Sequence, residues 1–511
     1  MDFDGAYDFI VVGAGAAGSV IAARLSQDRD RKILLLEAGP SDLNPLISRP
    51  ASWPLLLGSE LDWRYQTVPQ VALKGRRLAW PRGRVVGGSG SINAMVHIRG
   101  AISDFDAWER WGGETWNARH MFPYLERLEG SADTPEYGRL PIAENTSPHP
   151  FAAAFVTAAQ KHGLPDNPDF NSGRQEGVGL YRITRTAGGP DVPARRGNTA
   201  YTHLHSALDR PNLTLVTDAT VLCVTVEHGR AVGVRFRTGG KVMSVRCADE
   251  VVLCAGTVAS PQILMLSGIG PAAHLRAVNI PVAVDLPGVG GNLHDHIQVS
   301  LAYDTVEGHP VADSSNLGEA GGFITLYPDS PAPDLQLSFA PMKDLNNASR
   351  LGHGFTIGPA VTRPRSRGRL SLASADPDEH PLIDPAYLTD PADLDVLVDG
   401  VRMACDIAGT DPLARLVRGK PWGGTLSRDE VEEFVRTYAQ TQFHPVGTCR
   451  IGFGAEETEA VVDPRLRVKG LTGLRVADAS VIPSMVTGNI HCAVAAIAER
   501  AAEFIQEDNT K

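Results

Sequence analysis

Three stretches of this chain have residue types and spacings that could do chemistry. The first is Gly13-x-Gly15-x-x-Gly18, which follows the apolar run 7–12 and has Glu37 lying 19 residues after its last glycine. Glycines at this spacing allow a tight turn and let the backbone approach a pyrophosphate, while a helix N-terminus supplies free N–H groups for the anion. An acid about 20 residues further on accepts hydrogen bonds from a ribose diol. An acid rather than a base there disfavours a 2′-phosphate, and so NADP. The same glycines would also serve a tight turn that binds nothing. The second stretch is Gly83-Arg84-Val85-Val86-Gly87-Gly88-Ser89-Gly90-Ser91-Ile92-Asn93, which by itself reads equally well as a flexible surface loop. The third, His294-Asp295-His296, has the residue types of a metal site. On a strand, however, the two histidines share one face only two residues apart, and no further ligand cluster accompanies them, so no metal is expected.

The elements around the first motif fit nucleotide binding. Residues 7–12 read as a buried parallel strand, a helix runs to about Leu25, and 32–37 form a second strand, which makes a βαβ unit with its glycines at the strand-to-helix handover. Residues 40–90 are rich in Pro, Gly and Arg and predict an extended, irregular segment. A helical stretch follows over 103–130, with Trp108, Trp111 and Trp116 as packing residues. Alternation predicts antiparallel strands at 213–216, 219–226, 231–237 and 241–246, and the apolar run 250–254 predicts a strand buried on both faces. Residues 473–477 form another buried strand, and 490–507 an apolar helix.

At Gly83–Asn93 the sequence resembles the glucose–methanol–choline (GMC) family of flavin oxidoreductases, whose first signature runs G-R-x-x-G-G-S-S-x-x-N. Further blocks match in order: Gly256-Thr-x-x-Ser260-Pro261 through Ser267-Gly268-Ile-Gly270; Gly288-Val-Gly-x-Asn292-Leu-x-Asp295-His296; Ser366-Arg367-Gly368; Phe443-His444-Pro445-x-Gly447-Thr448-Cys449; and Gly473 through Asp478, Pro483 and Gly488-Asn489. The likeness covers roughly residues 6–507, on the branch of choline dehydrogenases and of aryl-alcohol, hydroxymethylfurfural and pyridoxine oxidases. The family also carries the Asp295-His296 pair without a metal.

The resemblance implies FAD and assigns residues to it. Gly13, Gly15, Ala17, Gly18, Glu37 and Ala38 would hold the ADP half, with Trp63 and Val221 near the adenosine. Gly83, Gly88, Ser89, Asn93, Ala94, Met95 and Val96 would lie against the flavin, and Asp478 and Asn489 would complete the cofactor site. Relatives with covalently bound flavin use a histidine where this chain has Ile92, so non-covalent FAD is expected. The family places its catalytic base at His444, and a neutral imidazole suits removal of a hydroxyl proton as hydride leaves for flavin N5. Its amide partner falls at Asn489, which would hold the alcohol oxygen. Many relatives read G-N-T-N where this chain has Gly488-Asn489-Ile490-His491, and His491 could be a partner behind the catalytic pair, a substrate contact, or a packed helix-start residue. Phe443 would line the substrate pocket. His97 departs from the usual aromatic or alanine of the first signature, and reads as a packing substitution.

The expected fold is α/β. A Rossmann-like FAD domain would come from 1–157, 210–310 and 465–511, with a substrate domain containing an antiparallel sheet from 158–209 and 311–464. The expected reaction is oxidation of a small aromatic or heteroaromatic primary alcohol to the aldehyde, with O2 reduced to H2O2. A quinone-linked dehydrogenase of the choline type is the alternative, and a non-redox hydroxynitrile lyase or a photodecarboxylase is a further one.

Composition sets outer bounds. With 511 residues, 43% hydrophobic and a net charge of −11, the chain has ample core and lacks the basic balance of a general nucleic-acid or anionic-membrane binder. No apolar run reaches bilayer length, and the start, Met1 to Asp8, is acidic rather than signal-like. The six cysteines include no C-x-x-C pair, which argues against a disulfide framework and for a cytoplasmic location.

Overall fold

Six strands in an unbroken row form the first of two large sheets of the protein, described by a computed structural model over residues 7–134, 136–189, 192–306, 308–343, 353–419, 426–454 and 457–509. Met1–Ala6, most of the acidic start, lie outside the described residues. Strand β1 (Tyr7–Val12) is followed by helix α1 (Ala16–Leu25) and strand β2 (Ile33–Leu36), and β1 and β2 pair in parallel. β3 (Leu213–Val216) extends the parallel sheet beyond β2. β4 (Thr220–Glu227), β5 (Arg230–Thr238) and β6 (Lys241–Leu253) form an antiparallel series. The last residues of β6 run parallel to β1 on one side and to β7 (Leu474–Val476) on the other.

The 250–254 run is therefore a strand with neighbours on both sides, as its continuous apolar sequence predicts. The 213–216 stretch differs from its sequence reading, since it joins β2 in parallel rather than opening the antiparallel series. Period-two alternation marks a half-covered strand and carries no information about the direction of its partner.

The second sheet is antiparallel, with strand order 440–441, 297–298, 354–361, 335–340, 320–324 and 177–180, and 301–304 also pairs with 354–361. Strands 297–298 and 301–304 thus belong to this sheet, although the sequence division placed them in the FAD segment 210–310. On one face Leu337, Phe339 and Phe355 are fully buried, and Phe155 stacks on Phe339. On the other face the register sets Gln298 opposite Ala360, and Ala360 opposite Gln336. Polar side chains thus share one row of the sheet.

The turn after β1 shows why glycine stands there. Gly13 has φ +97, and a Cβ would lie 2.6 Å from the Cys254 carbonyl oxygen. A Cβ on Gly18 would lie 1.8 Å from the Gly13 carbonyl oxygen. The helix can approach the sheet this closely only without side chains at these two positions. Gly18→Ala is expected to lower stability by at least about 1 kcal/mol, the lower range for overpacking, read as a fall in Tm. An unchanged Tm would contradict the close approach.

Candidate active site

All but one of the residues assigned from the sequence line a single cavity of about 740 Å³. The exception is Gly18, which packs on Gly13 and Cys254 instead. The cavity runs from the ends of β1 and β2 to the polar face of the second sheet, with the 81–96 segment along its side.

At the β-strand end, Glu37 is 5% exposed. Its Oε2 accepts from Ala14 N at 2.8 Å and its Oε1 from Gly39 N at 2.9 Å. Burial pushes its carboxyl up to about 7, against the pull of these backbone N–H groups. Each oxygen keeps a further lone pair for a ribose hydroxyl. Gly15 has no positive φ, and a Cβ there would meet nothing nearer than Gly88 Cα at 3.8 Å. No protein atom excludes a side chain at Gly15, so the bare backbone fits an anion brought against the helix N-terminus. Trp63 stacks on Tyr65 with centroids 5.7 Å apart, and Arg84 lies over Trp63 at 5.3 Å. Asp478 caps the far side, accepting from Gly256 N at 2.8 Å, Ser260 Oγ at 2.6 Å and Ser480 N at 2.8 Å. The Glu37 acceptor and the glycine cradle fit the ribose and pyrophosphate of FAD.

At the other end His444 and Asn489 face each other, with His444 Nε2 3.1 Å from Asn489 Nδ2. His444 Nδ1 is 2.9 Å from His296 Nδ1, and His296 Nε2 is 2.8 Å from the Thr362 carbonyl oxygen. A carbonyl only accepts, so His296 Nε2 carries the hydrogen. Burial pushes His296 down to about 4, so its ring is neutral and its Nδ1 is an acceptor. His444 must then donate from Nδ1, and its Nε2 lone pair accepts from Asn489 Nδ2 at the cavity. Burial first, then repulsion from His296 whenever that ring is protonated and from Arg82, holds His444 well below the usual histidine range. The result is a neutral imidazole whose basic nitrogen points at the amide and the cavity.

The backbone of His444 is held as firmly as its ring. Asp295 Oδ1 accepts from His444 N at 2.7 Å, and its other oxygen accepts from Thr441 Oγ1 at 2.5 Å and from the Tyr387 hydroxyl. Burial pushes Asp295 up to about 6. Arg82 Nη2 donates to the Phe443 carbonyl at 2.6 Å, and Phe443 takes φ +68. The His294-Asp295-His296 stretch is thus a scaffold for His444. Among the described residues no group of three or more His, Cys, Asp or Glu could hold a metal ion.

His491 lines the cavity, and its Nε2 is buried without a hydrogen-bond partner. A Cβ on Gly90 would lie 3.2 Å from this nitrogen, so the loop and the helix α2 (His491–Asp508) meet closely there. His97 is more than a packing substitution. Its Nε2 is 2.8 Å from Glu129 Oε1 and its Nδ1 3.1 Å from Cys492 Sγ. Against the pull of burial, Cys492 and Glu129 push it up to about 10.

Sequence reasoning missed the support of His296, Asp295 and Thr362 for His444, and the glutamines at 298, 336 and 442 on the cavity wall. The adjacency of Asp295 to His296 was visible, but their approach to a residue about 150 positions later was not.

A β1–glycine–helix nucleotide cradle joined to a His–amide pair defines a flavin-dependent oxidoreductase. Family models described as GMC oxidoreductase match residues 7–298 and 364–498, and the chain belongs to that family. It is 39% identical to an alcohol dehydrogenase [acceptor] of Pseudomonas putida, over 98% of this chain and 95% of that protein. Identity to the mitochondrial choline dehydrogenase of Mus musculus is 38%, covering 98% of this chain and 89% of the relative. Among solved structures, pyridoxine 4-oxidase from Mesorbium loti superposes with a TM-score of 0.88 at 32% identity, covering 97% of this chain and 98% of its own. The protein is an FAD enzyme acting on CH–OH groups.

His296→Phe removes the acceptor for His444 Nδ1–H. Turnover is expected to fall at least ~10-fold, as when the orienting partner of a catalytic histidine is lost, with FAD still bound. Wild-type turnover in this variant would contradict the relay.

Proposed function

We propose that the enzyme oxidises a small aromatic or heteroaromatic primary alcohol to the aldehyde. The observation that carries this is the neutral His444, whose unprotonated Nε2 accepts from Asn489 Nδ2 and faces the cavity. His444 Nε2 takes the hydroxyl proton, and Asn489 Nδ2 donates to the alcohol oxygen as its negative charge grows. Bound FAD supplies the hydride acceptor, with O2 as terminal acceptor and H2O2 as product. Phe443 covers the cavity beside the base, and an aromatic there suits a small ring. A quinone-type acceptor is the second reading, supported by the likeness to the Pseudomonas putida alcohol dehydrogenase [acceptor].

The cofactor assignments belong to the same reading. Gly13, Gly15, Ala17, Glu37 and Ala38 would hold the nucleotide, and the 83–96 segment with Asp478 the remainder. Ile92 sits buried with Ile47, Leu56, Leu61 and Val85 and offers no atom for a covalent link, which supports non-covalent FAD. The discontinuous FAD and substrate domains remain our division of the chain. No helix among the described residues is long and apolar enough to cross a membrane. The six cysteines are free thiols, which supports a cytoplasmic location.

The reading is tested with His444→Ala, which is expected to keep its FAD and lose at least ~100-fold in the rate of anaerobic flavin bleaching by alcohol. A near wild-type rate would refute the assignment. For wild-type enzyme, kcat/KM is expected to stay level on acidification from pH 8 through the ordinary histidine midpoint of ~6.5 and to fall only below it, because protonation of His444 removes the base and burial holds its pKa well under that midpoint. A loss that begins above pH 7 on acidification would contradict the neutral buried base. Acid precipitation is expected to leave all flavin in the supernatant; a yellow pellet would show a covalent bond.

A further inference from the structure

Gln442 stands two residues before the base and lines the same cavity. Its Nε2 donates to Gln336 Oε1 at 3.0 Å, and Gln336 Nε2 donates to the Tyr181 hydroxyl oxygen at 3.0 Å. This chain crosses the polar face of the second sheet, and Gln336, 2% exposed, anchors it. Its free end is Gln442 Oε1, an oxygen buried without a hydrogen-bond partner. Asn489 Oδ1, on the other side of His444, is in the same condition. A buried carbonyl oxygen left without a donor is costly, so a ligand that brings a donor gains by entering.

The carboxylates lining the cavity are engaged or lie at its mouth. Glu37 and Asp478 accept from backbone N–H groups at the nucleotide end. Asp62 accepts from the N–H groups of Gly58, Arg64 and Arg82, and Asp378 pairs with Arg237. Glu60 is exposed. The wall that carries Gln298, Gln336 and Gln442 therefore offers amides where a cationic substrate would need charge.

We propose that the substrate is a neutral alcohol carrying a second hydrogen-bond donor, a hydroxyl or ring N–H, and that Gln442, oriented by Gln336, reads that donor. The inference rests on the alcohol-oxidising reading of the site and narrows its substrate class. A quaternary ammonium has no donor for the Gln442 oxygen. An aromatic alcohol lacking a second donor leaves that oxygen unpaired, and sites built to bond a substrate hydroxyl discriminate strongly against analogues without one.

The test is anaerobic flavin reduction of the FAD-loaded enzyme by three alcohols: p-(hydroxymethyl)benzyl alcohol, p-methoxybenzyl alcohol and choline. The diol is expected to exceed the methoxy alcohol in second-order rate constant by at least about tenfold, with choline last. Gln442→Leu and, separately, Gln336→Leu are each expected to bring the diol-to-methoxy ratio within about threefold of one. The wild-type comparison needs no variant, and the flavin spectrum reports whether each variant has folded. Equal wild-type rates for the diol and the methoxy alcohol, choline as the best substrate, or an unchanged ratio in both variants would overturn the inference. Reduction by none of the three would overturn the alcohol-oxidising reading beneath it.

Discussion

The site depends on one hydrogen bond between two histidine rings. The Thr362 carbonyl can only accept, so it fixes the hydrogen of His296 on Nε2. His296 can then only accept at Nδ1, and this fixes the hydrogen of His444 on its own Nδ1. The lone pair of His444 is thereby directed at Asn489 and the cavity. Burial keeps both rings neutral, so the relay works without a buried charge. In serine hydrolases a carboxylate orients the imidazole. Here a neutral ring does so, and the nearby Asp295 spends its oxygens on the backbone N–H of the base and on hydroxyls.

The fold supplies the two halves of this arrangement from different sheets. Thr362 follows the central strand 354–361 of the antiparallel sheet, and His296 directly precedes the neighbouring strand 297–298. His444 lies just beyond 440–441, the strand on the other side of 297–298, so sheet register alone brings the three together. Asn489 comes from the approach to α2, which packs on α1 behind the glycine turn. The glycine turn and Asn489 are therefore tied to one helix–sheet layer, and His444 to the other.

Much of the nucleotide half was legible in the sequence. Glycine spacing, an acid at the end of β2 and a continuous apolar run at 250–254 all express local constraints, and local constraints leave local patterns. The ordered signature blocks likewise pointed to His444 and Asn489. The relay was not legible, because His296 and His444 meet through register in a sheet whose strands are far apart in sequence. His294-Asp295-His296 invited a metal reading, which its short spacing argued against, and nothing local hinted at a tautomer lock. The direction of 213–216 was not legible either, since alternation reports exposure and not partners. His97 looked like packing because Glu129 and Cys492 approach it only in the folded chain.

The most direct measurement is the ¹⁵N spectrum of the histidine rings in FAD-loaded protein near pH 7, with the His444 signals assigned by comparison with a His444 variant. The expected spectrum is that of a neutral His444 ring with its proton on Nδ1 and an unprotonated Nε2. A ring protonated on Nε2, or an imidazolium, would contradict it, because neither form leaves a lone pair facing Asn489 and the cavity.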